Sequence, residues 1–280
     1  MDTTEALQRV RLITPMLQKD VQTAILSHAV MEAANETVPK GMKGVNSSFV
    51  MPYDAVQNAL SLKLAMDIAR IFDISKGRPP EQQDKASIQV LAALLQVSGV
   101  QQALEDDAAT WYPSSAHIVT VGTAPAGLQE EIIKSLEEDC RSESRQECRR
   151  ALGDFLAVAA KLDVQGSPEF GALTRIREFR DRRLAHSLFN KEPDELPRYS
   201  DLHLLLGAAK QAARHALLAV EGLNIDLEEQ AQRDRDNAEG YSACVLDGLS
   251  RAAAMEGDTA VVEGDFAAPA GPAEGGQKNF

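Results

Sequence analysis

The fold class follows from residues 52–73, PYDAVQNALSLKLAMDIARIFD. Apolar side chains recur there at intervals of three and four residues, which places them on one face of a helix. This stripe consists of Val56, Leu60, Leu64, Ile68 and Ile71. Pro52 suits the first turn of a helix, where its missing N–H costs nothing. The segment therefore predicts a long amphipathic helix with one buried face.

Most of the remaining chain shows the same helical spacing. Helices are predicted over residues 3–13, 15–36, 82–97, 128–162, 168 to about 186, and 200–223. The only strand-like run is HIVTV, residues 117–121, and five residues cannot form a sheet. The sequence thus predicts an all-α fold, an antiparallel helical bundle.

The acidic charge is concentrated near the end of the sequence. The net charge is −13, and residues 226–280 contain twelve acidic against four basic residues. Residues 257–280 are rich in Gly, Ala, Pro and acids, a composition typical of disorder. We therefore predict a helical domain over residues 1–225, an acidic extension with a weak helical pattern over 226–256, and a disordered tail over 257–280.

Several classes of protein are disfavoured by what the sequence lacks. It contains no P-loop, dinucleotide-binding, nucleophile-elbow or HExxH motif. The three cysteines form no CxxC, and the five histidines never occur three or four residues apart. We therefore expect no metal and no cofactor. No signal peptide or membrane-spanning run is visible, so we expect a cytoplasmic protein without membrane association.

The segment that can carry chemistry is TRIREFRDRRLAHS, residues 174–187. Arginine can bind phosphate through two parallel hydrogen bonds, and a neutral histidine can accept a proton. Positive neighbours disfavour the imidazolium, so His186 is expected to be neutral. Together these groups suit attack of a ribose 2′-hydroxyl on the adjacent phosphate. The alternative is a solvated helix face with pairs such as Arg177–Asp181, ending in a histidine that caps the helix.

FRDRRLAHS, residues 179–187, resembles the signature of HEPN domains, in which an arginine and a polar residue precede a histidine. Arg180, Asp181 and His186 match this pattern, with five residues between Arg180 and His186. The helix ending in IARIFD, at residue 73, and the helix start YSDL, at residue 199, resemble the AbiU-type branch, which is associated with abortive infection. The resemblance covers about residues 15–223.

The resemblance implies a dimeric, metal-independent ribonuclease that acts as a toxin in antiviral defence. Arg180 would stabilise the scissile phosphate, Asp181 would orient Arg180 or the RNA, and His186 would be the base or position the 2′-hydroxyl. Expected partners are RNA, such as tRNA or mRNA, a second copy of the chain, and an antitoxin or another defence protein. The alternative is a non-catalytic helical module for dimerisation or partner binding.

Helix geometry adds candidates to this set. On a regular helix Arg180 and His186 are about 240° apart, so they converge only if the helix ends or kinks near His186, or if a dimer completes the site. Arg182 and Arg183 are closer to His186 by helical spacing. We predict phosphate or RNA binding by Arg177, Arg182, Arg183 and Ser187.

Overall fold

The computed structural model describes residues 1–43, 48, 50–75, 77–111, 126–184, 195 and 197–260. Within these residues the fold is all-α and contains no strand, as predicted. The segment HIVTV lies outside the described residues. The α-helices are α1 (Thr3–Gly41), α2 (Val50–Ile71), α3 (Ile88–Leu95), α4 (Val100–Ala108), α5 (Ala126–Lys161), α6 (Pro168–Phe179), α7 (Tyr199–Glu221) and α8 (Leu227–Ala260).

Helix α1 is the centre of the bundle and contacts α2, α3, α4, α7 and α8. We predicted a break at Pro15, and this prediction was wrong, because α1 continues through it. Pro15 is exposed, while Val10, Leu17 and Val21 are fully buried along one continuous stripe. Burial of that stripe offsets the cost of an internal proline, which is about 3 kcal/mol.

Helix α2 forms where the sequence predicts it, but only its second half is fully buried. Leu64, Ile68 and Ile71 are inaccessible to solvent, whereas Val56 is 55% exposed. The first half of α2 instead lines an open apolar groove with residues of α1 and α8. The buried half carries the chain to Phe72 and Asp73, at the position where the functional site is built.

The remaining helices refine the predicted boundaries. Residues 82–97 contain a shorter helix than expected, α3, preceded by a 3-10 turn at Pro80–Gln82. Helix α4 was not predicted from the sequence. Helix α5 is one continuous helix, and most of its residues from 127 to 147 are exposed. Helix α8 packs along α1, with Ala238 against Ala29 and Ala33.

The predicted helix from residue 168 to about 186 changes geometry before its end. Ser167 caps α6 by accepting a hydrogen bond from the N–H of Phe170, and Pro168 occupies the first turn. After Phe179 the chain forms a π turn, Arg180–Leu184. Within the described part of the chain, no helix is both long and apolar enough to cross a bilayer.

Candidate functional site

The π turn presents the arginine-rich segment beside the end of α2. Helix α6 is anchored in the core by Leu173, Ile176 and Phe179, which are all buried. This anchor fixes the start of the π turn at Arg180. A π turn places one more residue in each hydrogen-bonded ring than an α-helix does, and such turns are frequent at functional sites. Regular α-helical geometry therefore ends at Phe179, before Arg180. The separation of about 240° expected for Arg180 and His186 on a regular helix thus does not apply here.

Arg180 is held between two carboxylates. Its Nη1 lies 2.7 Å from Oδ1 of Asp73, two residues beyond the end of α2. Its Nε and Nη2 lie 2.8 and 2.7 Å from Oδ1 of Asp181. Burial alone would lower the pKa of Arg180, but the hydrogen bonds to Asp181 and Asp73 outweigh it and raise the pKa. The guanidinium is thus a permanent, oriented cation.

Asp73 joins Arg180 to a second cation. Its Oδ2 accepts a hydrogen bond of 2.6 Å from Nζ of Lys85, in the segment between the 3-10 turn and α3. Burial would raise the pKa of Asp73, but the hydrogen bonds from Lys85 and Arg180 lower it below the usual range. Sequence reasoning did not assign a role to Asp73 or Lys85. The available signals were the position of Asp73 directly after the α2 stripe and its place at the end of IARIFD, the segment that resembles the AbiU-type branch.

Arg177 lies on the inner side of the same segment. Its Nη2 donates a hydrogen bond of 2.8 Å to the carbonyl of Phe72, just after the end of α2. The buried Gln89 side chain contacts the same two groups when its amide is oriented to satisfy both. Burial lowers the pKa of Arg177, although the guanidinium remains charged at any physiological pH. Arg177 therefore caps α2 and joins it to α6.

Arg175 links α6 to the first turn of α7. Its Nε and Nη2 lie 2.8 and 2.6 Å from the two carboxylate oxygens of Asp201, a bidentate pair. The Asp201 side chain is only 6% exposed, and it also accepts a hydrogen bond from the N–H of Arg198. Glu195 lies at 3.4 Å from the Arg175 guanidinium. This arginine therefore has a structural environment that differs from that of Arg180.

The other predicted site residues are only partly described. Arg182 lies in the π turn and is half-buried. Arg183 belongs to the same turn by its backbone, but its side chain is outside the described part of the structure. His186 and Ser187 lie outside the described residues as well. Their roles in catalysis and phosphate binding therefore stay predictions.

The geometry of Arg180 allows an exchange of anions. Asp181 is 49% exposed, so its side chain can leave the guanidinium at low cost, whereas Asp73 is held by Lys85 as well. A phosphate that replaced Asp181 would meet Nε and Nη2 of Arg180, the edge that forms two parallel hydrogen bonds. An anion that displaced Asp181 would thus leave in place the contact that anchors Arg180 beside the end of α2.

A family model for HEPN domains, HEPN_AbiU2, described as AbiU2, matches residues 13–241. This match spans, at least in part, each of the eight α-helices in the described residues, including α6, and it includes the π turn. The chain belongs to the HEPN AbiU2 family. No curated protein and no solved structure matches the chain.

The HEPN AbiU2 match confirms the family predicted from FRDRRLAHS. The matched region is longer at both ends than the resemblance expected from the sequence. Membership associates the protein with abortive infection and with a family composed mainly of ribonucleases. The matched region ends inside α8, at residue 241, beyond the limit of about residue 223 expected from the sequence. The first part of α8 is therefore part of the family's common sequence.

Proposed function

We propose that this protein is a metal-independent endoribonuclease that acts as a toxin or effector in antiphage defence. The 2′-oxygen of a ribose attacks the adjacent phosphorus, and the bond from phosphorus to the 5′-oxygen breaks. The proton of the 2′-hydroxyl goes to a base, and the leaving 5′-oxygen takes up a proton. The products are a 2′,3′-cyclic phosphate and a 5′-hydroxyl end.

One observation carries this proposal: Arg180 is paired both with Asp73, which Lys85 also holds, and with Asp181, which is 49% exposed. The negative charge on the non-bridging oxygens grows in the transition state, so an oriented guanidinium stabilises it more than the ground state. Asp181 orients Arg180 in the free protein and gives way to the phosphate. Lys85 adds positive charge behind Asp73 and keeps that carboxylate ionised.

His186 is the proposed base. It is two residues beyond Leu184, the last residue of the π turn. Since two peptide units span at most about 7 Å, the backbone of His186 stays close to the arginine-rich turn. The arginines of this segment disfavour its protonated form, and a neutral imidazole can accept the 2′-hydroxyl proton. Arg182, Arg183 and Ser187 are proposed to bind neighbouring phosphates. The hydrogen bond from Arg177 to the carbonyl of Phe72 supports a role for Arg177 in positioning the π turn. Its contribution to RNA binding is the weaker of its two proposed roles.

The proposed assembly is a homodimer in the cytoplasm. A single chain provides one arginine-rich turn, and two such turns facing each other would form a cleft that tracks an RNA backbone. An antitoxin or another defence protein that covers this cleft would control the activity. The RNA substrate class includes tRNA and mRNA.

The deciding experiment compares purified wild type with His186→Ala on total RNA and tRNA in EDTA. Arg251→Ala is the matched control, because Arg251 is an exposed arginine of α8 whose partner is the neighbouring Asp247. We expect wild type and Arg251→Ala to leave 2′,3′-cyclic phosphate ends and His186→Ala to leave none. Cleavage that persists in folded His186→Ala would overturn the proposed mechanism.

The exposed charged stretch of α5 favours a second candidate, a non-catalytic partner-binding module. Residues 137–143 of α5 are almost all exposed and carry five charges. This surface could hold a charged partner independently of the π turn. The module hypothesis predicts a complex that survives Arg180→Ala and His186→Ala unchanged, together with no RNA cleavage by wild type.

A further inference from the structure

A second polar cluster lies between α1 and α7 and is separate from the arginine turn. His28 and Glu32 are four residues apart on α1, and Tyr199 and His203 are four residues apart on α7. Side chains at this spacing lie on one face of a helix. The two faces meet, with the rings of His28 and His203 centred 5.6 Å apart. One donor atom each from His28, Glu32 and His203 lies within 4.8 Å of the other two.

We infer that His28, Glu32 and His203 form a binding site for a borderline divalent metal ion such as Zn²⁺. Two imidazoles and one carboxylate are a donor set that suits Zn²⁺ and related first-row ions better than Mg²⁺ or Ca²⁺. Three protein ligands leave one coordination position for water or another small ligand. Sites of this kind are often built from facing helices of a bundle.

The distances fit this coordination. With metal–ligand bonds of about 2.1 Å, two ligand atoms of a tetrahedral site are about 3.4 Å apart. Nδ1 of His28 and Oε2 of Glu32 are already 3.5 Å apart. His203 is exposed, so its ring can rotate the remaining distance without disturbing the core. Two of the three ligands are therefore in place before an ion binds.

The groups around the ligands also have a suitable arrangement. Nε2 of His28 lies 3.2 Å from the hydroxyl of Tyr199. With Nδ1 on the metal, Nε2 carries the proton and donates a hydrogen bond to the Tyr199 hydroxyl. This contact fixes the His28 ring and makes His28 a more basic ligand. The His28 ring also stacks on the Tyr199 ring, with centroids 5.9 Å apart. These contacts limit the freedom of the most buried ligand.

Two cations border the cluster and affect its affinity. Nη2 of Arg235 lies 2.6 Å from Oε2 of Glu32, and Nζ of Lys210 lies 2.7 Å from Oε2 of Glu228. Arg235, Lys210 and Glu228 line a cleft of about 340 Å³ that opens beside His28 and His203. Arg235 and Nδ1 of His28 approach the same oxygen, Oε2, so a metal ion bound at Oε2 would require Arg235 to move to the other carboxylate oxygen. The cleft gives the ion a path from solvent.

The test is a Co²⁺ titration of the chelator-treated, tag-free full-length protein, followed by visible absorption. Co²⁺ reports tetrahedral N and O coordination directly, and Zn²⁺ is then added as competitor. We expect one equivalent of Co²⁺ to bind with a tetrahedral spectrum and to be displaced by Zn²⁺. No saturable binding, or a preference for Mg²⁺, would overturn the inference.

Variants assign the site to its residues. His203→Ala changes an exposed side chain, and we expect it to weaken Co²⁺ binding by at least about tenfold, since even lost outer contacts cost about 10- to 100-fold. Tyr199→Phe should weaken binding by about tenfold and leave the spectrum tetrahedral. The matched control is His215→Ala, because His215 is also on α7 but lies outside the cluster, near Asp154. Equal affinity in wild type and His203→Ala would contradict the assignment.

A second readout measures the effect of the ion on the fold. An ion that joins α1 to the start of α7 and binds only the folded state must raise Tm as its concentration rises. We expect Zn²⁺ to raise Tm of wild type and His215→Ala, and not of His203→Ala. Neither readout uses RNA, so this inference and the proposed nuclease function fail or survive separately.

Discussion

Arg175 and Arg180 are five residues apart on one helical segment, and both are paired with aspartates, but the two pairs differ in burial and geometry. Arg175 forms two parallel hydrogen bonds with Asp201, which is 6% exposed. Arg180 divides its donors between Asp73 and Asp181, and Asp181 is 49% exposed. A buried pair has no other partner available, whereas an exposed one can be replaced by solvent or ligand. The same residue type therefore joins helices at one position and remains accessible to an anion five residues later.

The largest effect is expected from removal of Arg180. Arg180→Ala should lower RNA cleavage by about 10²- to 10³-fold, because a positioned donor to the transition state is lost. The free energy of unfolding should change little, since Asp73 keeps Lys85 as a partner. Cleavage rates and urea unfolding of the same preparation measure both quantities. A large loss of stability with unchanged cleavage would reverse the distinction between the two arginines.

The converse is expected at Arg175. Arg175→Ala leaves the buried Asp201 carboxylate without its main partner, which should cost about 2–4 kcal/mol of unfolding free energy. Urea or thermal unfolding measures this loss, and Arg251→Ala, which removes an exposed pair on α8, should cost less than about 0.5 kcal/mol. Equal losses in the two variants would mean that burial does not distinguish these ion pairs.

The exposed carboxylate of Asp181 provides a further test of the difference between the Arg180 and Arg175 ion pairs. If phosphate and Asp181 compete for the same edge of Arg180, Asp181→Asn should strengthen RNA binding by about two- to fivefold, because exposed charge pairs are worth less than about 1 kcal/mol. Fluorescence anisotropy in the His186→Ala background measures binding without cleavage. Asp201→Asn, at the buried pair, should leave RNA affinity unchanged while the protein is folded. Weaker RNA binding in Asp181→Asn would show that Asp181 contacts RNA favourably.

The smallest effect is expected for the dependence of the unfolding free energy on pH. Burial would raise the pKa of Asp73 and Asp201, but hydrogen bonds from their cationic partners lower both values. A carboxyl with a lowered pKa in the folded state contributes stability above its unfolded pKa, about 4, and loses it as the pH falls through the folded value. Unfolding free energy should therefore decrease below about pH 4. This acid-dependent part should be smaller in Asp201→Asn than in wild type, and an equal decrease in both would remove Asp201 as a contributor.

The extent of sequence prediction differs between fold and site. Helix positions were predictable because the apolar spacing is local, as in the second half of α2. The break at Pro15 was predicted wrongly because the local cost of proline is outweighed by burial along α1. Arg180 and Asp181 were predictable from a short motif. Asp73 and Lys85 were not, because the contact between Asp73 and Arg180 joins parts of the chain about a hundred residues apart. Lys85 belongs to the site only through its hydrogen bond to Asp73.

The sequence by itself determined the helical class, the family and the arginine segment, since each depends on residue types at short and regular spacing. Only the tertiary structure decided which arginine is buried against Asp201 and which stands between Asp73 and Asp181. It also brought His28 and His203 together from helices distant in sequence, although no two histidines are three or four residues apart. The physical reason is that charge pairing and metal coordination depend on distances of a few ångströms in space, and packing of α1, α2, α6 and α7 sets those distances.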